Sequence, residues 1–117
     1  DGLEGSSHLV VLWWFARCDN PQDRAMVRQL PHTGPKKERG TFSTRSPHRP
    51  NPIALSVVKV LSIDYERGEV LIDSIEAKDG TPILDIKPYS PKIDAVPDAL
   101  TPNWEERTEG KTKGEEQ

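Results

Sequence analysis

Three prolines, Pro47, Pro50 and Pro52, fall immediately before the apolar run IALSVVKVLSIDY and constrain the fold more than any other feature of the chain. Each fixes φ and lacks a backbone donor, so neither a helix nor an interior strand passes through SPHRPNP. The stretch is a stiffened loop that delivers the chain into a strand. A loop ordered in advance loses little entropy when a ligand arrives, which suits it to binding more than to linking. Eleven prolines in 117 residues extend the constraint along the chain, favouring turns and strand edges over long helices.

The remaining pattern is mostly β. HLVVLWWFAR is β-branched and aromatic with apolar residues on both faces, as in a strand of a closed or covered sheet. QDRAMVRQL reads as a short helix capped by Asn20 or Asp23 and ended by Pro31. PHTGPKKERG is a basic loop, and TFSTR a short strand leading into the prolines. IALSVVKVLSIDY and EVLIDSIE are strands flanking ERG, a hairpin turn in which Gly68 supplies positive φ. AKDGTP is a turn centred on Asp79 and Gly80, and ILDIKPY is a last strand stopped by Pro88. From about Pro97 the chain is polar and acidic, a loosely held tail with Trp104 docking onto the domain. The expectation is a mainly all-β domain over residues 1–96, a small β-barrel or strongly bent sheet with short helical or loop insertions. Residues 97–117 form the tail.

Composition narrows the class. Hydrophobic residues make up 33% of the chain and mean hydropathy is -0.70, enough for one modest core. The longest apolar run, LVVLWWFA, is far short of the about 20 residues of a membrane-spanning helix, and no basic segment precedes it, so neither a membrane span nor a signal peptide is expected. The start DGLEG, without Met, points to residues removed before Asp1. One cysteine, Cys18, cannot form an internal disulfide, which leaves the cytoplasm as the expected location. Net charge is -3, yet between Arg24 and Arg49 seven Lys or Arg face one acid, Glu38. That run is either a phosphate-attracting face or a solvated basic loop. No GxGxxG, P-loop, GxSxG or HExxH motif is present. His8, His32, His48 and Cys18 lack metal-ligand spacing, so no metal is expected. Trp13 and Trp14, as successive strand residues, point to opposite faces and are core and interface before they are stacking platforms. One of them then lies on an outer apolar face that marks an association surface, unless residues 25–30 or Trp104 cover it.

TFSTRSPHRPNPIALS and DGTPILDIKPYSPKID together resemble the two signature blocks of the TsaA/TrmO-like family, also called YaeB, VirR or UPF0066, which read close to TRSPxRPNPIGLS and DGTPVLDIKPYxPxxD. GLEGSSHLVVLWWF is similar to the family's upstream block, and the resemblance covers roughly residues 2–94. It implies a β-barrel methyltransferase that uses S-adenosyl-L-methionine, acts on N6 of threonylcarbamoyl-adenosine 37 in the tRNA anticodon loop, and works as a homodimer with the cofactor near the subunit interface. It also implies an earlier strand and a Pro-Arg-Gln-like element, so the barrel here lacks its N-terminal strand. The alternative is a non-catalytic or regulatory relative that keeps the barrel and binds cofactor or RNA.

By the same resemblance, Arg45 and Leu55 fall on cofactor positions, as does the turn Glu76, Ala77, Lys78 and Asp79. Ala16 and Arg17 occupy the place of a frequent His-Glu pair, and Ala54 that of the glycine of PIGLS. A proline-fixed loop can hold Arg45 for charge-assisted bonding to a carboxylate. Alternation along LDIKPY sets Asp85, Lys87 and Tyr89 on one face as candidates to help an N6 proton leave, or as structural groups that satisfy the proline loop, pair with one another and cap the barrel. Arg49 and Asn51 are candidates for tRNA contact, with Lys36, Lys37 and Arg39 as a phosphate patch.

Overall fold

The computed structural model describes residues 1–30 and 37–101. Their centre is a four-stranded antiparallel sheet of β1 (His8–Trp14), β4 (Ile53–Asp64), β5 (Glu69–Ile72) and β6 (Ile83–Pro88), in the order β5-β4-β1-β6. β2 (Arg28–Gln29) and β3 (Arg39–Gly40) form a separate antiparallel ribbon. β1 pairs with β4 from His8↔Lys59 to Trp14↔Ile53, and with β6 from Leu9↔Pro88 to Trp13↔Ile83, with an irregularity between Leu12 and Trp13.

The two-residue period of β1 sorts its apolar run into two layers. Leu9, Val11 and Trp13 are buried and, with Val58, make the core against which Leu3, Phe15, Val60, Val70, Ile72, Ile75 and Ala77 pack. Val10, Leu12 and Trp14 point the other way, beside Val57, Leu55 and Ile53, which remain 50%, 49% and 48% exposed. The two tryptophans therefore separate across the sheet. Trp13 is inside. Trp14 lies on the outer face, where the Arg24 guanidinium stands 5.5 Å from its ring and Asp19 accepts its indole N–H at 3.1 Å.

The turn glycines behave as expected, with φ of 67° at Gly68 and 84° at Gly80. Pro88 ends β6, an edge strand, where its missing donor costs no ladder bond. Two local expectations need correction. The helix over QDRAMVRQL shrinks to one turn, α1 (Pro21–Arg24), because Arg28 and Gln29 pair with Gly40 and Arg39 while the buried Gln29 side chain donates to Thr41 Oγ1 at 3.1 Å. TFSTR is not a strand: Thr41–Ser43 is a 3-10 turn, and the Ser43 and Thr44 hydroxyls turn back on the local backbone, Ser43 Oγ to the Gly40 carbonyl and Thr44 Oγ1 to the Thr41 carbonyl at 2.7 and 2.8 Å. A second one-turn helix, α2 (Pro91–Asp94), follows β6. Among the described residues the sheet is open, with β5 and β6 as its edges, and does not close into a barrel. No described helix is long and apolar enough to cross a membrane. His32, Lys36, Trp104 and the tail from residue 102 lie outside the described residues.

Candidate functional site

The proline loop, residues 44–52, is irregular backbone held by side chains that reach it from both directions. Arg49 Nη1 donates to the carbonyls of Thr44 and Ser46 at 2.9 and 3.1 Å. From α1, Arg24 Nε donates to the Pro50 carbonyl at 2.7 Å, Nη2 to Asn51 Oδ1 at 3.1 Å and Nη1 to Asp19 at 3.0 Å. α1 itself forms because Asn20 caps it, accepting the Asp23 amide at 2.8 Å, with Pro21 at the first helical position. Pro52 is fully buried, and its carbonyl accepts the Phe15 amide at 2.8 Å just past the end of β1.

Between this loop and the ends of β1 and β4 lies a cleft of about 910 Å³, inside the about 300–1,000 Å³ range of small-molecule sites. Trp13 and Phe15 form its apolar wall. They share a face at i and i+2 and stack with ring centroids 5.4 Å apart, and Trp13 Nε1 donates to Ser56 Oγ at 3.0 Å. Thr44, Arg45, Arg49 and Asn51 line the loop side and Ala54, Leu55 and Glu76 the far side. A smaller recess of about 250 Å³ shares Trp13, Phe15 and Glu76 and is completed by Ala16, Arg17, Lys78, Asp79 and Gly80. Ile75 and Ala77 pack into the core, so alternation turns Glu76 outward into both spaces.

The cofactor positions inferred from sequence thus gather around one end of the sheet: Arg45 and Leu55 on the cleft, Ala16, Arg17, Lys78 and Asp79 on the recess, and Glu76 on both. Ala77 instead packs against the core. Arg45 is exposed and makes no hydrogen bond or ion pair among the described residues. Arg49 and Asn51 also line the cleft, but both are engaged in bracing the loop. Lys37 is exposed and Arg39 sits in β3, while Lys36 lies outside the described residues. Asp85 and Lys87 pair with each other at 3.0 Å opposite Leu12 and Val10, on the outer face, and line neither space. The Lys87 ammonium and the Ile86 amide hold the Asp85 carboxyl below the usual carboxylate range. Tyr89 sets its ring edge-on to His8 at 6.5 Å.

Trp13, Phe15, Thr44 and Ser56 were not legible as site residues, although the i, i+2 aromatic pair at a strand end was the available signal. Arg24 carried none, since it braces a carbonyl 26 residues away.

The tRNA-methyltransferase O N-terminal domain matches residues 1–95. The S-adenosyl-L-methionine-binding protein of Archaeoglobus fulgidus is 44% identical over 82% of this chain and 66% of its own. The tRNA (adenine(37)-N6)-methyltransferase of Escherichia coli is 40% identical over 84% of this chain and 42% of its own. The crystal structure of TrmO from Pseudomonas aeruginosa superposes with a TM-score of 0.63 at 37% identity, covering 86% of this chain and 39% of that one. The chain spans less than two thirds of each relative. With a domain match over residues 1–95, relatives at 40% and 44% identity in sequence and the same fold in a solved structure, the chain belongs to the tRNA-methyltransferase O N-terminal domain family.

Proposed function

We propose that this chain binds S-adenosyl-L-methionine in the cleft beside the proline loop and acts as a methyltransferase domain on N6 of adenosine 37 of tRNA, the threonylcarbamoylated base in the anticodon loop. The observation that carries the reading is Arg45, a guanidinium with no hydrogen-bond or ion-pair partner among the described residues, on the wall of a cleft of ligand size. The residues fit the cofactor. Arg45 suits a carboxylate, Trp13 and Phe15 an adenine, and the Glu76 carboxylate, an acceptor, suits ribose hydroxyls. When bound, the cofactor supplies an electrophilic methyl group on a sulfonium.

The chain's own contribution is to fix geometry and exclude water, because in-line displacement gains most from orientation. Asp85, held ionised by Lys87, is a weak proton acceptor near neutral pH, so its role is to position Lys87. Lys36, Lys37 and Arg39 supply phosphate contacts that set register on the RNA. A second copy of the chain covers the outer face formed by Val10, Leu12, Ile53, Leu55 and Val57, which brings the Asp85–Lys87 pair to the interface. Bridging of the β5 and β6 edges, open among the described residues, by a further strand completes the barrel. The cytoplasm is the matching location.

Three measurements test these parts. Calorimetry with S-adenosylmethionine tests the pocket, and absence of binding overturns the reading. Mass spectrometry of nucleosides from tRNA incubated with chain and cofactor tests the acceptor, where a methyl gain on modified adenosine 37 is expected. Light scattering that gives a species of 13.1 kDa at micromolar concentration overturns the dimer. A binding relative without turnover is the second reading, favoured by the placement of Asp85 and Lys87 off the cleft. It predicts cofactor binding with no methylated nucleoside.

A further inference from the structure

The turn after β1, the one-turn helix α1 and the middle of the proline loop meet at three side chains that the proposed reaction does not use. Cys18 Sγ lies 3.6 Å from His48 Nδ1, His48 Nδ1 lies 2.7 Å from Asp23 Oδ1, and the three donor atoms all fall within 4.8 Å of one another. Cys18 is buried, Asp23 half-buried and His48 exposed, so the group is walled on one side and open on the other. A nucleophilic relay would set the thiol and the carboxylate on opposite ring nitrogens of the histidine. Here both approach the same nitrogen, Nδ1, which is convergence on a point.

We infer that Cys18, Asp23 and His48 form a site for a thiophilic divalent cation of the zinc class, with solvent at the fourth position. Metal bonds of about 2.3 Å to sulfur and 2.0 Å to nitrogen, set tetrahedrally, place the two ligands about 3.5 Å apart. The Cys18–His48 separation already matches. The His48–Asp23 contact has to open by about 0.6 Å to reach the corresponding nitrogen–oxygen edge. One sulfur, one nitrogen and one oxygen donor select against calcium and magnesium, which take oxygen ligands. Asn20 Nδ2 donates to the other Asp23 oxygen at 2.8 Å, the outer support that orients a carboxylate ligand. On binding, the thiol proton leaves to solvent and His48 carries its remaining proton on Nε2. The cation then ties residues 18–23 to a loop whose Pro47 and Arg49 line the large cleft. Spacing along the chain does not bring these donors together, because His48 is 30 residues from Cys18 and folds onto it.

The test uses the chain freed of any affinity tag and stripped of metal, and does not depend on cofactor or tRNA. Cobalt(II) titrated into the parent is expected to give thiolate-to-metal charge-transfer absorption in the near ultraviolet at one equivalent, displaced by zinc(II). Cys18→Ser and His48→Gln are expected to abolish the one-to-one complex while His8→Gln keeps it. Zinc(II) is expected to raise the melting temperature of the parent and not of Cys18→Ser. Circular dichroism of the metal-free variants confirms that they fold; if Cys18→Ser does not, His48→Gln, whose ring is partly exposed, carries the comparison. No charge-transfer band in the parent, or a band that survives in His48→Gln, overturns the site and leaves the cluster as a hydrogen-bonded tether.

Discussion

Replacing Arg45 by Ala isolates the proposed ligand contact from the fold. Its side chain is exposed on the cleft wall and no described residue accepts from it, so truncation leaves no buried acceptor behind and removes no brace. The melting temperature is therefore expected to hold. A hydrogen bond to a charged group contributes about 1.5–3 kcal/mol, and the open cleft places Arg45 toward the lower end, about 1.5–2 kcal/mol, because solvent screens it. Converted at about 1.4 kcal/mol per decade, the dissociation constant for S-adenosylmethionine rises by roughly 10- to 30-fold. Isothermal titration of parent and variant, with thermal denaturation of both, reads the two quantities together. Arg49→Ala is the control that the structure supplies: it strips donors from the Thr44 and Ser46 carbonyls, so it should lower stability as well as affinity. An unchanged dissociation constant in Arg45→Ala, or a fall in its melting temperature equal to that of Arg49→Ala, refutes the assignment.

Arg24→Ala removes three hydrogen bonds, to the Pro50 carbonyl, Asn51 and Asp19, and the stacking on Trp14, and is expected to destabilise by about 1–2 kcal/mol in urea unfolding; a change within error would show that the loop holds itself. Leu9→Ala opens a cavity under the central strand, where Leu9 is 1% exposed, at a cost of about 2–5 kcal/mol; a midpoint as high as the parent's would mean that the two sheet faces had been assigned the wrong way round. The stability–pH profile follows from the carboxylates. Asp23, held down by the Asn20 amide and then by His48, Asp73, held down by the Lys59 and Ser74 amides, and Asp85 all lie below the usual range when folded. The unfolded chain thus binds protons first, so their stabilisation is complete above the unfolded value of about 3.9 and is lost as pH falls through the lower folded values. Urea midpoints should be level from neutral to about pH 5 and decline below about pH 4; a level profile through that range contradicts the shifts.

How far the sequence was readable depends on the range of the interaction. The long strands came from local alternation, and the hairpin and DGTP turns from glycines whose positive φ no other residue adopts easily, so β4, β5 and β6 were legible. The ribbon of β2 and β3 was not. It is a two-residue pairing held by the buried amide of Gln29 on Thr41, and nothing in VRQL announces a partner twelve residues on. Resemblance to known signature blocks placed Arg45, Leu55 and Glu76 near one another, which alternation could not do. It could not say that Ala77 turns inward, because that depends on Ile75 and Ala77 sharing the core face of their segment.

The loop also shows why charge alone leaves function open. Arg45 and Arg49 lie four residues apart in the same proline-rich stretch and are chemically identical, yet only one has its donors spent. Arg49 is drawn back by the Thr44 and Ser46 carbonyls, which the prolines hold in a non-helical course and which no strand ladder satisfies. With Arg24 taking the Pro50 carbonyl and Phe15 donating to the carbonyl of buried Pro52, several of the loop's acceptors are met from within the protein. The guanidinium of Arg45 then finds no acceptor among the described residues and stands on the cleft wall. Prolines strip the loop of regular structure, the stripped carbonyls recruit neighbouring cations as braces, and the cation left over is the one presented to a ligand.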